Sequence, residues 1–228
     1  MYLREYLQST HAISRRKFTD FVDKGQIFLD WTPVISYKQE IVDGDKLLIT
    51  DHIDETIKIS WEIQQSTMVI FNKPMGYVAS KSDPHNQTIY ALLPQELQGF
   101  YYIGRLDKDS HGLLLLTNDP KLVNEFEHPK FAIEKEYIVK IDRPLTSRDA
   151  QRMKEWLVDE GEALKVADCK LLESCLVNII LHEGKKRHIR RIFKVMNYKV
   201  LDLQRIREGE FELGNLKLGE WKKINDKF

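Results

Sequence analysis

Apolar positions recur at helical spacing in several short stretches and at strand spacing over most of the remainder. Leu3 and Leu7 share one helical face, and Phe18, Phe21 and Val22 share another. Ser14 can cap the second helix and Gly25 stops it. Residues 27–29 and 46–49 read as strands, the later one entered through the turn Asp43-Gly44-Asp45. Ile57, Ile59, Trp61 and Ile63 alternate, as on a half-buried strand. Residues 68–71 are a buried-strand run ending in the turn Asn72-Lys73-Pro74-Met75-Gly76. Residues 88–93 read as a short capped helix, and 101–103 and 113–116 as strands. The four leucines of the latter run predict burial on both faces.

The second half continues the alternation. Asp119 and Pro120 open a helix with Leu122, Val123 and Phe126 inward. In residues 135–141, Tyr137, Val139 and Ile141 lie on one strand face. Thr146 or Ser147 caps a helix that should turn Met153, Trp156 and Leu157 inward. Residues 164–167, 170–172 and 176–181 follow as strands in sequential antiparallel pairing. Ile189, Ile192, Phe193 and Met196 then gather on one side of a helix, with Arg187, Arg190, Arg191 and Lys194 opposite. Residues 200–207 form the last long strand. The pattern predicts an α+β protein of two domains. A small module over 1–52 precedes a domain over 62–228, built on a largely antiparallel mixed sheet with flanking helices, with the linker within 50–56.

Charge narrows the picture only through its placement. Lys+Arg and Asp+Glu both number 35 in 228 residues, so net charge gives no hint of a polyanionic partner. Cys169 and Cys175 have no metal-ligand companions at useful spacing, and no disulfide framework or metal is expected. The N-terminus lacks a signal-peptide core and no apolar run reaches membrane-spanning length. The expectation is a cytoplasmic monomer without membrane contact.

Three places concentrate charge against local preference. Arg105, Asp107, Lys108, Asp109, Ser110 and His111 occupy a loop between two core strands, a placement suited to chemistry. Arg15, Arg16 and Lys17 crowd the start of one helix, and Lys185, Lys186, Arg187, Arg190 and Arg191 the start of another. Cations at a helix N-terminus oppose the macrodipole unless an anion is present.

The run from Gly104 to Asp119, GRLDKDSHGLLLLTND, resembles the signature of the pseudouridine synthases, closest to the ribosomal RNA-modifying (RsuA) branch. The resemblance extends to Asn72-Lys73-Pro74, to Lys135-Glu136-Tyr137, to residues 183–193 and to Gly219-Glu220-Trp221. It implies isomerisation of a uridine in RNA, most simply ribosomal RNA or a ribosome-assembly intermediate, with no cofactor. It implies Asp107 as the catalytic carboxylate, Arg190 as its ion-pair partner and Tyr137 as the residue packed on the target base. Leu203 lines the site, while Arg105, Lys73, Arg187 and Arg191 would meet substrate. His188 departs from the family's usual glutamine. The first module resembles an S-four-type RNA-binding domain, with Arg15 and Arg16 facing RNA, although Leu29-Asp30-Trp31-Thr32-Pro33 replaces the usual hairpin sequence. Two rival readings stand beside this one. One is a non-catalytic RNA-binding or ribosome-assembly factor. The other is a glycosidase-like hydrolase, which needs two opposed carboxylates, with Asp109 the nearest second.

Overall fold

The structure, a computed structural model, describes residues 2–11, 13–42, 44–50, 58–62 and 66–224. The chain divides into two compact units, one centred on Met1–Ser66 and the other on Thr67–Asn118 and Leu122–Lys227.

In the first unit, α1 (Leu3–Thr10) and α2 (Arg15–Asp23) precede β1 (Ile27–Leu29), β2 (Thr32–Pro33), β3 (Lys46–Thr50) and β4 (Lys58–Glu62). The strands form one antiparallel sheet in the order β2-β1-β3-β4. The predicted helix faces form the core, where Leu3, Leu7, Phe18 and Val22 meet Ile27, Val34, Ile41, Leu47 and Ile49. Ser14 caps α2 by accepting the Lys17 amide at 3.2 Å. The β1–β2 hairpin turns on Asp30 and Trp31, both in the left-handed region (φ 48° and 67°), as a tight two-residue hairpin requires. Because β4 pairs with β3, this unit continues beyond residue 52. The expected linker lies outside the described residues except for Thr50, as do Ile57 and Ile63 of the expected strand and Asp43 of the expected turn.

The second unit contains β5 (Met68–Lys73), β6 (Tyr101–Ile103), β7 (His111–Thr117), α3 (Pro120–Glu127), β8 (Lys135–Ile141) and α4 (Ser147–Arg152). It continues through β9 (Leu157–Asp159), β10 (Glu162–Leu164), β11 (Asp168–Glu173), β12 (Leu176–Leu181) and α5 (His188–Val195). It ends with β13 (Val200–Glu208), β14 (Phe211–Glu212) and β15 (Trp221–Ile224). The main sheet runs β11-β12-β8-β13-β7-β5-β15, with β14 on β13 and β6 on β7. Every pairing is antiparallel except β13 with β7. The alternate residues of β5 and β7 are buried on opposite faces. Val69, Phe71, Leu114 and Leu116 enter the larger core, while Met68, Ile70, Leu113 and Leu115 enter a smaller one with Ile103 and Phe211. Leu122, Val123 and Phe126 of α3 pack on the smaller core.

Two expected helices are corrected. Residues 88–93 hold only a 3-10 turn, Ile89–Ala91, and the Thr88 side chain makes no capping bond. α4 ends at Arg152; Trp156 is 60% exposed, and Leu157 begins a hairpin, β9–β10, in place of a third inward helical position. Glu160 and Gly161 form its turn, both at positive φ, and Gly161 supplies that conformation without strain. Among the described residues no helix is long and apolar enough to cross a membrane.

Candidate active site

One edge of β7 changes partner along its length. β6 pairs with residues 115–117, whereas β13 pairs with His111 and Gly112. The charged loop from Gly104 to Ser110 leaves β6 and enters β7 at this change, so it opens where the sheet has no continuous neighbour. Its backbone is held from several sides. Gly76 donates its amide to the Lys108 carbonyl at 2.8 Å, Ser110 donates to the Asp107 carbonyl at 3.0 Å, and Gly104 donates to Glu127 Oε1 at 2.9 Å.

Lys73 is the principal tether. Its side chain is wholly buried, and Nζ donates to the carbonyls of Pro74 (3.0 Å), Asp107 (3.1 Å) and Ser110 (2.8 Å). The expectation that Lys73 meets substrate is therefore corrected, because its three donors are spent on the loop backbone. Burial lowers its pKa to about 8, against the opposing charges of Asp107 and Asp109. From pH 8 to 10 the unfolded chain keeps a proton on this lysine that the folded chain gives up, so the group makes stability rise with pH across that window. Lys73→Met should flatten this rise. It should also destabilise the protein by roughly 3 kcal/mol near pH 7, through the loop carbonyls left unsatisfied. Urea denaturation of both proteins from pH 7 to 10 measures both effects, and a parallel pair of pH curves would contradict the assignment.

Asp107 follows Leu106, which is buried and anchors the loop. Its carboxylate opens onto a cavity of about 540 Å³ lined also by Arg105, Ser110, Lys135, Tyr137, Lys186, Arg187, His188, Leu203 and Arg205. Tyr137 on β8 and Leu203 on β13 are 7% and 5% exposed, so each adds a nearly buried apolar surface to this cavity. Three distant segments thus bring Asp107, Tyr137 and Leu203 to one hollow, with Arg105 and Arg187 on its wall.

The arginines of α5 pair differently from expectation. Arg187 stands in the left-handed region (φ 52°) just before the helix and makes a bidentate bond to Asp109, at 3.1 and 2.9 Å. Its Nη1 lies 3.8 Å from Asp107 Oδ2. Arg190 donates from Nη2 to the Asp109 carbonyl at 2.6 Å, and its Nε lies 3.3 Å from the Asp109 carboxylate. The expected Arg190–Asp107 pair is therefore corrected: Asp109 takes both arginines, and Arg187 is the cation near Asp107. Partial burial works against the Asp109 charge, but the Arg187 bond and the two nearby arginines hold its carboxyl below the usual carboxylate range. Both Asp109 oxygens are held by Arg187, so neither stands free as the opposed second carboxylate that the hydrolase reading needs.

Arg191 also departs from expectation. Its Nε meets Asp159 at 2.6 Å, Nη2 donates to the Asp159 carbonyl at 2.8 Å, and Nη1 pairs with Glu162. It clamps the β9–β10 hairpin onto α5 and is not among the residues that line the cavity. His188 is buried in the cavity wall with Nε2 3.1 Å from the Lys165 carbonyl, and burial lowers its pKa. In the other unit, Arg15 and Arg16 are exposed at the start of α2 and line a shallow hollow with Ser14, Lys17 and Thr19.

Sequence reasoning missed Arg205 and Glu208, and it named Lys135 and Lys186 only within longer runs, without a place in the site. Arg205 and Glu208 are 1% and 0% exposed. The available signal was spacing: Arg205 stands two residues after Leu203, on the face assigned to the site. Among the described residues no group of three or more His, Cys, Asp or Glu is placed to hold a metal ion.

A family model described as RNA pseudouridylate synthase matches residues 67–194. Over 230 residues the chain is 26% identical to an uncharacterised RNA pseudouridine synthase of Aquifex aeolicus, covering 99% of this chain and 93% of that protein. It is 30% identical over 224 residues to the dual-specificity RNA pseudouridine synthase RluF of Salmonella typhi, covering 98% of this chain and 75% of the relative. A crystal structure of a pseudouridylate synthase superposes with a TM-score of 0.69 at 26% identity, over 99% of this chain and 96% of that one.

Proposed function

Since the chain belongs to the RNA pseudouridylate synthase family, we propose that it isomerises a specific uridine of ribosomal RNA, with Asp107 as the catalytic carboxylate. The observation that carries this reading is the convergence of Asp107, Tyr137 and Leu203 on one cavity. The reaction breaks the bond from ribose to ring nitrogen, turns the base and joins ribose to ring carbon 5. It needs a carboxylate as nucleophile or base and an enclosed space in which the freed uracil can turn. The base must leave its stack to reach such a space, and Tyr137 and Leu203 offer apolar surface to receive it. Arg105, Lys186 and Arg187 on the cavity wall suit the flanking phosphates.

The choice of ribosomal RNA rests on the spelling of residues 104–119 and on the small N-terminal unit, read as an S-four-type RNA-binding module. The exposed Arg15 and Arg16 at the start of α2 support that role. Arg15→Ala combined with Arg16→Ala should weaken RNA binding and reduce the slope of log affinity against log salt by about two, one unit per lost phosphate contact. An unchanged slope would remove these arginines from the interface. The substrate is tested by mapping pseudouridine in ribosomal and transfer RNA from cells with and without the gene. Loss of one ribosomal site is the expected result; loss confined to transfer RNA would reassign the substrate.

A further inference from the structure

Beneath the cavity lies a group of buried charges that the proposed mechanism does not use. Arg205 of β13 and Tyr137 of β8 are direct cross-strand partners. The Arg205 guanidinium is fixed by a bond from Nε to the Leu113 carbonyl at 2.8 Å, and Nη2 stands 3.2 Å from Glu208 Oε2. Lys135 Nζ approaches the other side of Glu208 at 3.4 Å. Arg205 Nη2 and both Glu208 oxygens are buried without a well-formed hydrogen bond. Buried polar atoms left in that state call for an explanation.

The two glycines that bracket Asp107 in the signature both make room for this arginine. A Cβ on Gly112 would fall 2.2 Å from the Arg205 carbonyl oxygen, which would prevent β13 from pairing alongside β7. A Cβ on Gly104 would come within 3.2 Å of Glu208 Oε1 and 3.4 Å of Arg205 Nη1. Both glycines also adopt positive φ, 61° and 105°. The signature loop is thus shaped around Arg205 as well as around its own carboxylate. Arg205, Lys135 and Tyr137 all face the cavity, and the Arg205 and Asp107 charges both act on the Tyr137 hydroxyl.

We propose that Arg205 is a positioning residue for the reaction: it holds the Tyr137 hydroxyl, while Glu208 and Lys135 balance and orient its charge. The inference rests on the reading of Tyr137 as an active-site residue. A guanidinium has donors only, so it meets the phenolic oxygen as a donor. The phenolic proton must then point away from Arg205, into the space that the nucleotide occupies. Burial raises the Tyr137 pKa, which keeps that proton in place at neutral pH. Lysine at position 205 keeps the charge but not the planar fork that reaches both Leu113 and Glu208.

The test is a double-mutant cycle in the full-length chain, assayed by tritium release from transcripts of the organism's own ribosomal RNA labelled at uridine carbon 5. Arg205→Lys should lower kcat by about tenfold or more through misplacement of the hydroxyl, with KM changed less than about twofold. In a Tyr137→Phe background the same substitution should change kcat by less than about twofold, because the group it positions is gone. Equal losses in the two backgrounds, or normal kcat in folded Arg205→Lys, would overturn the proposal while leaving Tyr137 in the site. Normal kcat in Tyr137→Phe alone would show that the hydroxyl is not used and overturn the proposal, while leaving the aromatic face of Tyr137 in the site. If thermal melting shows that Arg205→Lys does not fold, Arg205→Met with Glu208→Leu takes its place in the cycle. That pair removes both charges at similar volume and leaves neither of the two uncompensated.

Discussion

Asp107→Asn is expected to lower isomerisation roughly ten-thousand-fold or more, with the fold and RNA affinity retained. Asparagine has nearly the shape of aspartate but can act neither as carboxylate nucleophile nor as base. The backbone that carries residue 107 is held independently of its side chain, by Lys73 on the Asp107 carbonyl and by the Ser110 amide on the same oxygen. Neither bond changes in the variant, so the loop should keep its form. Among the described residues the Asp107 carboxylate has only a distant ion pair, 3.8 Å from Arg187, so its removal leaves no tightly paired cation stranded there. Melting temperature and RNA binding measured beside turnover separate loss of chemistry from loss of structure.

The second large effect concerns Arg190. Its guanidinium reaches the Asp109 carbonyl with one nitrogen and the Asp109 carboxylate with another, and Nη1 lies 3.4 Å from the Val200 carbonyl. It thereby joins the loop that carries Asp107 to α5 and to the start of β13. A lysine offers one point of charge and cannot make this three-way tie. Arg190→Lys should lower kcat about a hundredfold through misplacement of Asp107, with RNA affinity changed less than about twofold. Asp109→Asn should fall between that variant and the wild type, since a neutral amide still accepts from Arg187 and leaves the Arg190 bond to the backbone intact. Single-turnover rates beside filter-binding affinities measure both. Near-normal turnover in Arg190→Lys would make Arg190 part of a general basic surface, without a role in placing the loop.

Much of this site is visible in the sequence because its parts lie in contiguous runs. Gly104 to Asp119 places a carboxylate between two strands whose apolar pattern is unambiguous, and the alternation around Tyr137 fixes which way that side chain faces. What the sequence does not carry is direction within the loop. Asp107 and Asp109 are two residues apart, and in an extended segment they would share a face. The turn closed by the Ser110 amide on the Asp107 carbonyl separates them, sending Asp109 to the arginines and Asp107 to the cavity. The roles of Lys73 and Arg205 were hidden for a related reason. A lone lysine in a turn and an arginine among Gln204 and Arg207 carry no mark of burial, because burial of a charge depends on partners such as Glu208 and the loop carbonyls that only the fold assembles. The missed hairpin shows the limit of periodicity. Met153, Trp156 and Leu157 fit a helical face, but Gly161 and the left-handed Glu160 turn the chain back into strands.

The central claim is that this chain isomerises uridine through Asp107. Forming the new bond at ring carbon 5 must expel the hydrogen there, while the RNA keeps its mass and its backbone. The decisive measurement is therefore release of tritium from carbon 5 of uridine in ribosomal RNA transcripts, with wild-type protein beside Asp107→Asn and Asp109→Asn. Wild-type release should level off at one tritium per modified site, with reduced release by Asp109→Asn, none above background from Asp107→Asn, and no free uracil in any reaction. Release by Asp107→Asn at the wild-type rate, or free uracil in place of a retained base, would contradict the claim.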